Sequence, residues 1–465
     1  MLKVLSAEEM REIDRLTTEE CGIPSISLME NAAQSVASAI VGRFGGSVAG
    51  KRIAIVCGKG NNGGDGAAVA RILHRHGAEV FVGLFGRIDD TKGDARTNFE
   101  MCRTLAGASS GRFCLVEVGP DDLESVRGQI VRCDCAVDAL FGTGLTKPLT
   151  GDLATAAGWF DADFAKGVLR VCVDLPSGLN ADRPEIAGPH ASGDLTVTFT
   201  APKPANVFPP AMHANGELVI ADIGSPRELI DNSPSKIFVT EASDARNWLR
   251  KTDFSPDSHK YKRGHALLIV GSRDYSGAAA LAGNAAMRSG AGLVTVATTR
   301  SAQAAISSKM IEEVITRGLD ENEAGRLSSA AVGEIETLSQ RASAVAIGCG
   351  IGVGDDMGFV RSIVEGRRTP MIIDAGGLTA VSPFELQGSD EFPLILTPHH
   401  GEFLRLLGTT DKLAIADRIG VSRNFAIAHH AILLLKGERV LMAAPDGRVA
   451  INPTGNSGLG KAGNG

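Results

Sequence analysis

Asn62, Asp138 and Ser177 each stand where an apolar run gives way to glycine. Asn62 lies in Gly58-Lys59-Gly60-Asn61-Asn62-Gly63-Gly64-Asp65-Gly66. Asp138 precedes Gly142-Thr143-Gly144-Leu145-Thr146-Lys147-Pro148 by four residues, and Ser177 ends Asp174-Leu175-Pro176-Ser177 before Gly178. Such an oxygen-only set suits a hard cation rather than zinc or copper. A single acid at a strand end is usually a cap or a turn residue. Three glycine-flanked oxygen groups at three strand ends read better as one ligand site. Gly58, Gly60 and Gly63 match the spacing of a dinucleotide-binding turn. That turn also requires an acid at the end of the next strand. Here the next strand ends in Leu84-Phe85-Gly86, with Glu79 at its start. No Gly-Lys-Ser/Thr follows, so the loop is not a Walker loop either.

The second half repeats the theme with other residues. Gly271-Ser272-Arg273-Asp274, Gly348-Cys349-Gly350-Ile351-Gly352, Thr397-Pro398-His399-His400 and Lys436-Gly437 each follow an apolar run. The chain ends in a further glycine tract from Thr454 to Gly465. Glycines at strand ends leave backbone N–H groups free to meet anions. This predicts phosphate binding without a Walker loop. His400 reads as an ordinary loop residue.

These loops need elements to hold them. Residues 1–45 carry helical spacing interrupted by Gly22-Ile23-Pro24. From Arg52 onward, strand-like runs begin near residues 52, 78, 135, 168, 194 and 217, with helical stretches at 67–77 and 94–107. A Pro- and Ser-containing stretch from Ser225 to His259 marks a boundary. A second set has strands near residues 264, 292, 342, 370, 393 and 431, helices at 275–290, 327–341 and 412–430, and a hairpin around Asp446-Gly447. Alternation of this kind means parallel sheets with helices on both faces. The expected fold class is therefore α/β, as two doubly wound three-layer domains, the first Rossmann-like.

Composition narrows the function classes. The net charge of −7 gives no reason to expect nucleic acid or an anionic membrane as partner. No apolar run approaches a membrane span, and no leader-like segment opens the chain. Eight cysteines without a CxxC pair read as reduced thiols of a cytoplasmic protein, with no zinc site. Glycine, at 56 of 465 residues, is well above the usual share of about 7%. Much of that excess falls in the loops named above.

The motifs GKGNNGGDG, FGTGLTKP and VDLPSGL, with LMENAAQSVA before them and TFTAPKP after, resemble the NAD(P)H-hydrate epimerase domain over 1–225. The resemblance implies isomerisation at C6 of hydrated NADH or NADPH. It implies substrate contacts by Asn61, Asn62, Gly63, Gly64, Asp65, Gly142, Thr143, Gly144, Leu145, Thr146, Lys147 and Pro148. It also implies a potassium ion held by Asn62, Asp138 and Ser177, and makes Asp174 the substrate-contacting acid–base candidate. After a linker at 226–240, GSRDYSGA, RSGAGLVTVA, GCGIG, IIDAGGL, TPHHGEF and LLKG resemble the NAD(P)H-hydrate dehydratase domain of the ribokinase-like superfamily over 241–465. This implies removal of water from the S epimer at the expense of ADP or ATP, with magnesium. Ala278, Gly352 and His399 would bind the hydrate. Lys436, Gly437, Glu438, Arg439, Val440 and Gly465 would bind the nucleotide.

Two departures from that family accompany the resemblance. Cys349 stands where proline is usual. The sequence ends at Gly465, where the resemblance places a catalytic aspartate next, so the expectation is an incomplete dehydratase half with impaired activity. Two rivals remain at this stage, a ribokinase-like small-molecule kinase and a non-enzymatic binding scaffold. NADH against NADPH, ADP against ATP, and oligomeric state stay open, a homo-oligomer included.

Overall fold

The computed structural model describes residues 1–108, 111–160, 167–352, 354 and 357–460. One compact unit covers Leu2–Ile237 and another covers Phe238–Gly465 with Met1.

The first unit opens with α1 (Ala7–Glu19), started by a reciprocal cap. Ser6 Oγ accepts from the Glu9 N–H at 3.2 Å, and Glu9 Oε2 accepts from the Ser6 N–H at 2.7 Å. Ala7, Met10, Ile13 and Thr17 form its buried face. Pro24 then starts α2 (Ser25–Arg43). The sheet behind them has seven strands: β1 (Arg52–Cys57), β2 (Glu79–Leu84), β3 (Phe113–Glu117), β4 (Cys135–Ala139), β5 (Leu169–Val173), β6 (Leu195–Phe199) and β7 (Glu217–Ala221). All pairs are parallel, in the order β3-β2-β1-β4-β5-β6-β7. The central strands β4 and β6 are buried at every residue. Val137 and Val197 join one apolar cluster with Val69 and Leu73, and Ala136 joins a second with Ile130 and Phe160. The direction of strand order reverses between β1 and β4. A parallel sheet opens a crevice at the carboxyl ends there.

Two elements of this unit differ from the sequence reading. The glycine tract is not all loop, because α3 runs from Asn61 to Arg75 and takes in Asn61–Gly66 as its first turns. Strand β3 was not foreseen. It is an edge strand in which only Phe113 is buried, although its sequence carries the short apolar run Phe113-Cys114-Leu115-Val116.

The second unit holds β8 (His265–Ile269), β9 (Leu293–Thr299), β10 (Ile315–Leu319), β11 (Ala344–Ile347), β12 (Met371–Ile373), β13 (Leu394–Leu396), β14 (Ile432–Leu435), β15 (Leu441–Ala443) and β16 (Val449–Ile451). Their order is β16-β15-β14-β13-β12-β11-β8-β9-β10. Strands β8 to β14 are parallel, and the last two are antiparallel, forming the expected hairpin. Strand β10 is a second edge strand that the sequence reading passed over.

Candidate active sites

In the first unit the ends of β1, β4 and β5 and the start of α3 bring the foreseen loops together. A cavity of about 430 Å³ opens there. Asn61, Asn62, Asp65, Gly142, Thr143, Gly144 and Asp174 line it. Gly63 and Gly64 do not, because they serve the packing of α3. A Cβ on Gly63 would lie 1.8 Å from the Gly58 carbonyl oxygen, and one on Gly64 would lie 2.7 Å from Ala95 Cα. Leu145, Thr146, Lys147 and Pro148 also lie off the cavity. Leu145 packs on the core, and Pro148 stands against Gly188.

Asp138 is fully buried. Its Oδ1 accepts from Ser177 Oγ at 2.6 Å and from the Leu140 N–H at 3.2 Å. Its Oδ2 accepts from the Ser177 N–H at 2.8 Å. Burial pushes this carboxyl up to about 6, against the pull of those donors. The Phe141 N–H donates to Ser177 Oγ at 2.8 Å, so the pair also fixes the turn that ends β4. On the same turn, Asn62 Oδ1 stands 3.0 Å from where a Cβ on Gly142 would be. The Asn62 Nδ2 is buried and lacks a hydrogen-bond partner. The orphaned Nδ2 is a donor and does not serve a cation. Asn62 Oδ1, the Asp138 carboxyl and Ser177 Oγ are oxygen groups of the kind a hard cation takes.

Asp174 has a backbone φ of 65°, a left-handed conformation that costs a non-glycine residue about 1–3 kcal/mol. The Asp174 N–H bonds to the Val197 carbonyl at 2.8 Å and helps to hold it. Its Oδ1 accepts from Lys203 Nζ at 2.6 Å and from Thr198 Oγ1 at 3.0 Å. Its Oδ2 is 3.1 Å from the Cβ position at Gly142, toward the cavity. Lys203 is 1% exposed, and its ammonium also donates to Thr198 Oγ1 at 2.9 Å and the Phe199 carbonyl at 3.2 Å. A buried ion pair with this many hydrogen bonds is a rigid mount for one carboxylate oxygen.

Three residues here escaped the sequence reading. Lys203 lies inside the Ala-Pro-Lys-Pro stretch after β6, and the buried Thr196 and Thr198 of that strand were its local signal. Asp14 and Arg11 reach the cavity from α1. Burial raises Asp14 to about 6 and raises Asp65 well above the usual carboxylate range.

In the second unit the ends of β8, β11, β12 and β14 converge. Lys436 Nζ donates to Asp374 Oδ1 at 2.9 Å. Asp374 Oδ1 also accepts from the Ala375 N–H at 2.8 Å, and Asp374 Oδ2 accepts from Cys349 Sγ at 3.6 Å. Burial and Asp374 push the Cys349 thiol up to about 11, so it stays a neutral donor. Gly348 has φ +130°, and a Cβ there would lie 1.8 Å from the Asp374 carbonyl oxygen. Ala278 packs on Gly350, and Gly376 packs on the Gly352 carbonyl, so Ala278 and Gly352 share this corner.

His399 acts as a helix cap. Its Nδ1 accepts from the Gly401 and Glu402 N–H groups at 3.0 and 3.3 Å. His400, read as an ordinary loop residue, stands 3.2 Å from the Cβ position at Gly437, and Arg418 Nη1 lies 3.3 Å from its Nε2. Burial, then Arg418, lowers its pKa. Gly437, Glu438, Arg439 and Val440 follow Lys436 into the hairpin, with Arg439 at φ 57°. Gly465 lies outside the described residues.

One parallel α/β unit with a lysine-mounted carboxylate in a cavity, and a second with glycine-rich strand ends around a lysine–aspartate pair, define a two-domain enzyme. Residues 25–205 match the family model described as YjeF-related protein N-terminus, and residues 266–465 match the one described as NAD(P)H-hydrate dehydratase. The bifunctional NAD(P)H-hydrate repair enzyme of Moorella thermoacetica is 39% identical over 99% of this chain and 86% of its own length. That of Thermofilum pendens is 34% identical over 100% and 85%. A Bacillus subtilis ADP/ATP-dependent NAD(P)H-hydrate dehydratase, co-crystallised with ATP and Mg2+, is 31% identical over 45% of this chain and 71% of its own, with a TM-score of 0.39. The chain belongs to the bifunctional NAD(P)H-hydrate repair enzymes and carries both of their catalytic domains, an epimerase and a dehydratase.

Proposed function

We propose that the cavity of the first unit epimerises the R and S forms of hydrated NADH or NADPH at C6, with Asp174 as an acid–base group. The observation that carries this reading is the mount of Asp174. Lys203 and Thr198 hold Oδ1 and leave Oδ2 toward the cavity. A fixed carboxylate beside a bound ring can move a proton there. Asn61, Asn62, Asp65 and Gly142 to Gly144 would form the cradle. Gly63, Gly64 and Leu145 to Pro148 would support it from behind. Asn62, Asp138 and Ser177 would hold potassium, which supplies positive charge beside the substrate. Asp174→Asn should lower the epimerisation kcat by on the order of 10²–10⁴-fold. Unchanged turnover would sink the assignment. Replacing potassium by choline should slow epimerisation in wild type but not in a Ser177→Ala variant, which has already lost that dependence.

The second unit would dehydrate the S hydrate with ADP or ATP and magnesium. Ala278, Gly352 and His399 would contact the hydrate, and Lys436 to Val440 with Gly465 would contact the nucleotide. The Lys436–Asp374 pair supports this, because a lysine at a strand end, anchored by one acid, is a point charge for phosphate. Release of free phosphate, rather than a stable phosphorylated product, separates this reaction from that of a small-molecule kinase. A cytoplasmic setting and a small-molecule substrate complete the reading. No described helix is long and apolar enough to cross a membrane.

A further inference from the structure

Asp14 is a carboxyl that the reaction as described so far does not use. It sits on α1, lines the same cavity as Asp174, and its Oδ1 is buried without a hydrogen-bond partner. A buried orphan acceptor is costly, and native proteins keep one where a ligand or a function occupies it. The groups facing it are Arg11 of its own helix, Asp65 of α3, Asp94 at the start of α4 (Gly93–Ala108), and the Asp174–Lys203 pair. Asp174 has its partners already, and Asp14 has none on that oxygen.

The chemistry calls for a second group. The substrate carbon bears both a hydroxyl and the ring nitrogen, and it inverts when oxygen leaves one face and arrives on the other. One carboxyl on one wall reaches one face. We propose that Asp14 is a second catalytic proton carrier of the epimerase site, serving the wall built by α1 while Asp174 serves the wall built by the sheet. This rests on the epimerase reading of the cavity given above.

The step balances as follows. The Asp14 carboxyl gives its proton to the C6 hydroxyl, the C6–O bond breaks, and water leaves. The N1 electron pair closes to C6 and leaves an iminium cation. A water adds to the opposite face, forming the new C6–O bond, and its proton passes to the Asp174 carboxylate. The enzyme is then set for the reverse direction, and proton exchange with solvent resets it. Burial, which favours a neutral Asp14 near pH 6, agrees with an acid in that position.

The test is steady-state epimerisation by Asp14→Asn and Asp14→Glu over pH 5–9. For Asp14→Asn the expected result is a kcat fall of on the order of 10²-fold with KM little changed, and loss of one limb of the pH–rate profile. Asp14→Glu should recover part of the rate. Wild-type kcat in Asp14→Asn, a loss confined to KM, or an unmoved pH profile would overturn the proposal. Asp174→Asn in the same assay separates the two ideas. Activity kept there overturns the site itself, whereas activity lost there but kept in Asp14→Asn overturns only the role of Asp14. A readout independent of variant folding is wild-type turnover in H₂¹⁸O. Label should enter the C6 hydroxyl once per inversion, and product without label would overturn the step.

Discussion

Asp14 and Lys203 show how a residue enters a site without a glycine-flanked strand end, although Lys203 lies within the TFTAPKP stretch. Each sits far along the chain from the loops that carry the glycine signature, and only the packing of α1 and β6 brings them to Asp174. Asn62, Asp138 and Ser177 were readable because glycine flanks each of them at a strand end. A lysine in a Pro-rich turn and an acid on an amphipathic helix carry no such flag. Lys203→Met would strand Asp174 in a buried position, and breaking a buried ion pair from one side costs about 3–5 kcal/mol. Urea unfolding of the first unit should show that loss, with epimerisation falling in parallel. Asp14 gives a pH-dependent effect. Its folded pKa of about 6 lies above the ordinary value of 3.8, so folding binds an extra proton between these values. Its contribution is complete below pH 3.8 and is lost as pH rises through 6. Asp14→Asn should therefore gain on wild type by roughly 2–3 kcal/mol from pH 4 to pH 7. Parallel stability curves would contradict the buried acid.

The elements explain which parts of the fold were legible. Strands β4 and β6 are buried at every residue, and apart from Asp138, Thr196 and Thr198 their residues are apolar. Strands β3 and β10 sit at sheet edges with half-exposed faces; β10, Ile315-Thr316-Arg317-Gly318-Leu319, has a loop-like composition, whereas β3 carries a short apolar run that the sequence reading passed over. The glycine tract was read as ligand-facing backbone, and the structure divides it. Gly58 and Gly63 are there for close backbone approach, since a Cβ on Gly58 would lie 2.1 Å from the Leu140 carbonyl oxygen. Gly63→Ala must therefore displace either α3 or the end of β1, and overpacking of this kind costs roughly 1–3 kcal/mol or more. Gly107 in α4 is the contrast, with nothing within 4 Å of its Cβ position. Gly107→Ala should stabilise by up to about 1 kcal/mol, the ordinary helix gain. Thermal melts of the two variants would then move in opposite directions. A neutral Gly63→Ala would show that the tract serves ligand approach instead.

At the scale of the whole molecule, each unit holds its own strand-end loops, and the residues of each proposed site belong to one unit. The reactions are chemically consecutive, because the epimerase converts the form the dehydratase does not take into the form it does. Release of the product between the two reactions makes a sharp kinetic statement. Asp174→Asn should remove equilibration of the epimers and leave turnover of pure S hydrate with ADP at the wild-type value. Lys436→Met should do the reverse, weakening nucleotide use while epimerisation continues unchanged. Each change breaks an ion pair within its own unit, so its cost in stability falls on that unit. With a mixed R and S substrate, the Asp174→Asn enzyme should consume the S fraction quickly. It should then slow to the rate at which the epimers interconvert without catalysis. Adding the Lys436→Met protein should restore full conversion, because its epimerase cavity is intact and its product is free to diffuse. Failure of that mixture to recover the R fraction, with both variants folded, would mean that the substrate is not released between the sites.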